Sequence, residues 1–272
     1  MNIRAEINKT LMLAYRDVLK LLRDRPRLFI SLVFPVMFMV VFGITLDSSL
    51  SGLAGSSFDA LPNGFFLNYV FSGILAQSIF QTSFAGIVSL VSDREEDFSM
   101  SIFVAPISRL SIVLGKIIGE SLVAFIQVFG IIIFGYILGI TISLERVFLV
   151  LPFGILFAVT GGCLGLLVAS RIEGKENAQR TFPLLILPLT FLSGAFTPVN
   201  DLPLILNIIK SLNPMYYAVD LSRSIIFANE AGIVRDFTIN NSFGYNLLVL
   251  IVLGLSFLLI GTFLFTRKEG NR

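Results

Sequence analysis

The chain of 272 residues contains no histidine, no tryptophan and a single cysteine. Each absence removes a kind of chemistry. Without histidine there is no imidazole to act as general base, proton shuttle or metal ligand near neutral pH, and Cys163 alone can neither close a disulfide within the chain nor complete a zinc site. Cys163 reads as a small packing residue. Serines set in apolar runs, such as Ser31, Ser78 and Ser83, have no histidine to activate them, and no Ser-Lys pair is evident. Gly115-Lys116 is followed by Ile117 and lacks a glycine loop ahead of it, which excludes nucleotide binding in the P-loop manner. Charge is scarce too. Charged side chains make up 14% of the chain, where soluble domains carry about 25%, and no stretch is long and polar enough to fold as a soluble domain. These exclusions leave transport, channel activity or assembly within a membrane.

What fills the space is apolar: 55% of residues are hydrophobic and the mean hydropathy is +0.88. Uncharged apolar runs of about 18 residues or more read as membrane-spanning helices. The pattern predicts an all-α membrane protein with six transmembrane helices at 28–46, 66–91, 110–140, 147–169, 181–199 and 245–265, organised as one domain over 1–272. Pro35 predicts a kink in the first span, and Pro183, Pro188 and Pro198 predict a bent or broken fifth. Asn68, Gln77 and Gln81 lie in the second. Amides at depth bond neighbouring helices or meet cargo, and Gln77 and Gln81 are the candidate polar residues of a pathway. Lys116 and Glu120, one turn apart at the start of the third span, are expected to form an interfacial ion pair. Small residues recur at Gly135 and Gly139, and at Gly161, Gly165 and Ala169, spacings that allow close helix approach and are expected to serve subunit packing.

Three polar or amphipathic stretches punctuate the spans. In 1–27, Ile3, Ile7, Leu11, Ala14, Val18 and Leu22 recur at helical spacing opposite Arg16, Lys20, Arg23 and Arg27, the pattern of an interfacial helix on an anionic membrane surface rather than of a solvated tail. In 92–106, Ser92 and Glu95 have capping-box spacing, with Asp93, Glu96 and Asp97 crowding what would be the first turn. Phe98, Ile102 and Ala105 share one face there, and Pro106 ends the run. Ser170 and Glu173 repeat the capping spacing. In 202–228, two short apolar helices are broken by Asn213-Pro214, and neither reaches the roughly 20 residues a span needs. A re-entrant hairpin is expected, with Asp220 and Arg223 at i and i+3 forming a weak exposed pair on its outer face.

Of the 20 Lys and Arg residues, all but Arg146, Lys210, Arg223 and Arg235 fall on one side of a six-span arrangement. The positive-inside rule then places both termini and the 92–106 segment in the cytoplasm.

Two segments carry a family resemblance. One is Ala105-Pro106-Ile107-Ser108-Arg109 with Gly115-Lys116 following. The other is Leu192-Ser193-Gly194-Ala195-Phe196-Thr197-Pro198, Leu202-Pro203, then Asn213-Pro214-Met215-Tyr216-Tyr217-Ala218-Val219-Asp220 and Arg223. Together they resemble the ABC-2 type membrane subunits of ATP-binding cassette exporters of the drug-resistance group, over nearly the full length. The resemblance implies an export permease of a prokaryotic cell membrane, working as a homodimer or with a similar subunit, within the lipid bilayer and without a nucleic-acid partner. It implies no cofactor on this chain, ATP being bound by a separate ATPase subunit. It also implies that 92–106 is a coupling helix inserted in that ATPase, with Phe98 and Ile102 as its apolar plug, Glu95, Glu96 and Asp97 as its charged rim, and Pro106 as the joint to span three. Many family members have Gly-Thr where Asp97-Phe98 stand. Cargo would be a drug, lipid or glycan-type amphiphile. The competing readings are a secondary transporter using Gln77, Gln81 and Glu120, and a structural subunit of a membrane complex. Only the fifth span is multiply interrupted, which disfavours an inverted-repeat transporter.

Overall fold

The computed structural model describes residues 3–50, 61–62, 64–93, 109–172, 174–199, 202–230 and 232–270. Those residues are mostly helical and carry no strand. In chain order they form α1 (Ile3–Arg23), α2 (Arg25–Phe38), a π-helical turn (Met39–Ile44), α3 (Thr45–Leu50), α4 (Phe65–Asp93), α5 (Arg109–Ile137), α6 (Leu144–Arg171), α7 (Lys175–Phe191), α8 (Leu204–Ser211), α9 (Pro214–Ile226), α10 (Ile233–Thr238) and α11 (Phe243–Gly270). Five segments are long and apolar enough to cross a bilayer: Leu28–Ser49, Phe65–Val88, Leu114–Ile137, Leu144–Arg171 and Ile233–Leu264. The expected fifth span is a helix of 17 residues, Lys175–Phe191, and does not meet that length. It begins earlier than 181 and stops well short of 199, because Gly194 turns the chain with φ +75° and the segment up to Val199 folds back into the protein.

The most apolar window of α4 is 78% buried, against 11% for the α2 segment and 17% for the α11 segment. The second span is therefore the axis of the fold, and the first and last present their side chains outward. Close approach to α4 is built from α6. A methyl group on Gly161 would overlap the carbonyl of Phe80, and one on Gly165 would stand 2.7 Å from the carbonyl of Phe84. The Gly161/Gly165 stripe is thus spent inside this chain, not on a second subunit. Gly139 takes no part in packing either; with φ +97° it ends α5, and Gly139 and Ile140 donate their N–H groups to the carbonyls of Tyr136 and Gly135.

Pro35 does not break α2. The helix continues for three residues and then widens into the π turn, whose Gly43 lies against the backbone of Leu67 on α4. Asp47, just beyond, accepts hydrogen bonds from the N–H groups of Phe66 (3.1 Å) and Leu67 (3.4 Å). It caps α4 from a distance, satisfying donors that the first turn of a helix leaves unpaired.

Two expected helix starts are corrected. Ser92 and Asp93 belong to the last turn of α4, which runs on past the apolar stretch. Ser170 is inside α6, where its hydroxyl donates to the Leu167 carbonyl, and the cap of α7 is Gly174 without a side-chain bond. A capping-box spacing weighs little against a helix already propagating through it, one residue adding one hydrogen bond. Glu95, Glu96, Asp97, Phe98, Ile102 and Pro106 lie outside the described residues.

The helix α1 has three faces. Ala14, Asp17 and Leu21 are buried, and a Cβ on Gly115 of α5 would meet the Thr10 carbonyl at 2.9 Å, so this edge docks on α5. Ile7, Leu11, Tyr15 and Leu22 remain exposed on the next face. The basic stripe follows beyond them. Of the apolar stripe expected from the sequence, Ala14 is buried in the protein, whereas Ile7, Leu11 and Leu22 are exposed.

Candidate functional site: a polar cavity and a buried arginine

At the end of the helix bundle that holds α1, three charges meet out of solvent. Lys116 Nζ lies 2.9 Å from Glu120 Oε1 and 3.2 Å from Asp17 Oδ2, and all three side chains are buried. The expected Lys116/Glu120 pair is therefore one half of a triad. Asp17 Oδ1 has no hydrogen-bond partner. Two carboxylates facing one ammonium leave an excess negative charge in a low-dielectric setting, where a single unpaired charge is costly.

Glu120 also forms the charged wall of a cavity of about 270 Å³ between α2, α4, α5 and α7. Ser31, Ser78, Gln81, Thr82 and Gln127 supply its polar lining and Phe34 and Phe182 its aromatic lining. The polar groups are linked. Thr82 donates to Gln127 Oε1 at 2.6 Å, and Gln127 Nε2 donates to Ser31 Oγ at 2.9 Å, joining three helices. Gly86 leaves the room that Glu120 occupies: a methyl group there would overlap its carboxyl group. Of the two amides expected to face a pathway, Gln81 lines the cavity, while Gln77 sits a turn away, donates to Gln81 Oε1 at 3.4 Å and keeps an unpartnered Oε1. Toward the other end of the bundle a row of rings leads off from Phe34: Phe34 to Phe38 at 4.3 Å, Phe38 to Phe196 at 4.6 Å and Phe42 to Phe196 at 5.1 Å between centroids.

That opposite end is organised by α9. Asn213 is its N-cap, accepting from Met215 N–H at 3.0 Å and donating to the Leu189 carbonyl at 2.8 Å, with Pro214 at the first helical position. Almost every residue of α9 is buried, whereas α8 buries none. The two halves of the expected hairpin are thus unlike in kind.

Asp220 and Arg223 do not form the exposed pair expected of them. Both are buried, at 1% and 2% exposure, and each has its own distant partners. Asp220 accepts from the backbone N–H groups of Asn240 (2.9 Å) and Asn241 (2.8 Å), and from the side-chain amides of Asn241 (3.0 Å) and Asn246 (2.9 Å). It ties α9 to the start of α11. Arg223 donates to the carbonyls of Gly194 (2.8 Å) and Ala195 (3.1 Å), reaches toward that of Tyr69 (3.5 Å), and lies 3.6 Å over the Tyr69 ring. It holds the loop after α7 against α4 and α9. The backbones meet closely there, since a Cβ on Gly73 would be 2.6 Å from the Ala195 carbonyl.

Some of this was open to a sequence reader. Lys116, Glu120, Val123, Gln127 and Ile131 recur every three or four residues, so Gln127 was findable as part of one polar helix face. Asp17 and Gly86 had no such signal.

Five helical segments long and apolar enough to cross a membrane, with a polar cavity between helices, suit a membrane transport protein. The chain belongs to the ABC-2 type transporter family, whose model matches residues 8–227. It is 30% identical over 255 residues to a protein of Cyanophora paradoxa named "Putative transport permease ycf38", covering 90% of this chain and 84% of that one. Proteins of the same name from Porphyra purpurea and Pyropia yezoensis are 28% and 27% identical over 220 and 215 residues, covering 78% and 76% of this chain and 72% and 70% of theirs.

Proposed function

We propose that this permease is the membrane half of an ATP-driven exporter of amphipathic cargo, powered by a separate ATPase subunit. The observation that carries the reading is membership of a transporter family in a chain with no nucleotide-binding motif of its own. Energy then has to arrive through surface offered to a partner, and 92–106, whose acidic residues and apolar face follow the central helix α4, is the segment suited to receive it. Motion passed along α4 would reach the cavity directly, because Gln81, Thr82 and Gly86 line it from that helix.

In this reading α7, at 17 residues, is a sixth and short crossing, and α8 with α9 is a re-entrant hairpin at the outer face. The distribution of basic residues supports a cytoplasmic position for both termini, and the membrane in this reading is that of a prokaryotic cell. A second copy, or a similar permease, completes the pathway. Its contact surface is not the Gly161/Gly165 stripe, which α4 already occupies; the outward-facing apolar side chains of α2 are better placed for it.

The test is reconstitution. Inverted vesicles containing this chain and a co-expressed ABC ATPase should accumulate a fluorescent amphiphile with ATP, and vesicles lacking either protein should not. Accumulation driven by an ion gradient in vesicles without an ATPase would replace this reading with that of a secondary transporter.

A further inference from the structure

The triad at Lys116 sets two carboxylates against one ammonium, and Glu120 is the member of it that lines the cavity. Glu120 is the one charged group among the lining residues; neither Lys116 nor Asp17 lines the cavity. A carboxylate that is 4% exposed, in contact with a cavity at membrane depth, attracts a positive charge. The surrounding groups suit an organic cation rather than a bare metal ion. Ser31, Thr82 and Gln127 are already hydrogen-bonded to one another and do not offer the full oxygen shell a hard cation requires, whereas Phe34 and Phe182 put aromatic rings in the lining, and aromatic rings attract alkylated cations.

We propose that the cavity between α2, α4, α5 and α7 is a binding site for a singly charged, amphipathic organic cation, held by Glu120 against the Phe34 and Phe182 rings. The inference deepens the transport reading by naming a class of cargo, and rests on that reading for the word cargo; binding itself does not require the ATPase. The cation's apolar body points along the Phe34, Phe38 and Phe196 row, which runs further from the cavity than the single contact of Phe182 with Phe84. Gln77, with its unpartnered buried Oε1 one turn along α4 from Gln81, is a further acceptor for a cation that has begun to move in that direction.

The cleanest probe is a pair of molecules alike in shape and unlike in charge: phenyltrimethylammonium and its carbon isostere tert-butylbenzene. Binding of each is measured by saturation-transfer NMR on the full permease in lipid nanodiscs, without ATPase. The wild-type protein should prefer the cation by about tenfold or more, the size of effect expected of one charge-assisted contact. In Glu120→Gln, cation affinity should fall to that of the neutral isostere, whose own binding is unchanged. Gln127→Leu should weaken the cation by less than Glu120→Gln does. Equal binding of the two probes to wild type overturns the proposal, and that comparison stands even if Glu120→Gln fails to fold. Undiminished cation binding by a folded Glu120→Gln overturns it as well. A permease that exports only in the presence of an ATPase yet fails the isostere test would sink the cation site and leave the transport reading standing.

Discussion

Arg223→Ala is the substitution for which sequence and structure give different magnitudes. An exposed i, i+3 pair would contribute roughly 0.2 to 1 kcal/mol. The structure instead shows a fully buried guanidinium with two carbonyl bonds of 2.8 and 3.1 Å, a longer third at 3.5 Å, and a ring 3.6 Å beneath it. Bonds to a charged donor are worth about 1.5 to 3 kcal/mol each. Removal of the side chain leaves the Ala195 carbonyl without its donor, while the Gly194 carbonyl keeps a 3.3 Å bond from the Tyr69 hydroxyl. Against this stands the relief of the cost of burying a guanidinium. A net loss of about 3 kcal/mol follows, which for a chain of this size corresponds to a fall in midpoint of roughly 6 to 12 °C. Membrane proteins commonly unfold irreversibly, so the assay is thermal inactivation of detergent-purified permease at a fixed heating rate. Arg223→Lys, which keeps the charge but neither the planar fork nor the ring stacking, should fall between wild type and Ala. An Arg223→Ala protein whose midpoint stays within about 2 °C of wild type would refute the reasoning, because by the same conversion the buried contacts would then be worth less than about 1 kcal/mol.

Asp220→Ala removes the acceptor for four hydrogen bonds and should free the connection at Asn240 and Asn241 from α9; limited proteolysis within 239–242 should rise several-fold, and no change there would contradict the clasp. Gly161→Leu should lower the thermal midpoint of the isolated subunit while leaving the dimer fraction among folded molecules unchanged, since the leucine collides with Phe80 of the same chain. A selective loss of dimer would return that stripe to the subunit interface. Leu206→Cys in a Cys163→Ser background places a thiol on the exposed face of α8, where a membrane-impermeant maleimide should label it in intact cells; labelling only after permeabilisation would reverse the topology.

Long-period features were legible in the sequence and point-to-point ones were not. Hydropathy located the spans around α2, α4, α5, α6 and α11 because each is a run of some twenty apolar residues, and Asn213-Pro214 marked the break between two short helices because a proline interrupts a helix locally. The same locality misled at Ser92 and Ser170, where the helix already under way continued through the capping residue. Asp220 and Arg223 looked like partners because they are three residues apart on one helix. Their actual partners lie between 20 and 154 residues away, out of reach of any spacing rule. The cavity had half a signal. Glu120 and Gln127 announce a polar face of α5, but that Gly86 makes room for Glu120, or that Asp17 of α1 reaches Lys116, depends on how helices lie against one another.

The central claim is that this permease is driven by a separate ATPase through 92–106, and a double substitution on the apolar face of that segment tests it most directly. Phe98→Asp with Ile102→Asp places two carboxylates where an apolar plug would enter a groove, at a cost of a few kcal/mol. The account predicts normal insertion and abundance in the membrane, loss of ATPase co-purification, and simultaneous loss of cargo-stimulated ATP hydrolysis and export. A doubly substituted permease that retains its ATPase and exports at the wild-type rate would contradict the account, and energy would then have to enter elsewhere, with 170–180 the next segment to test.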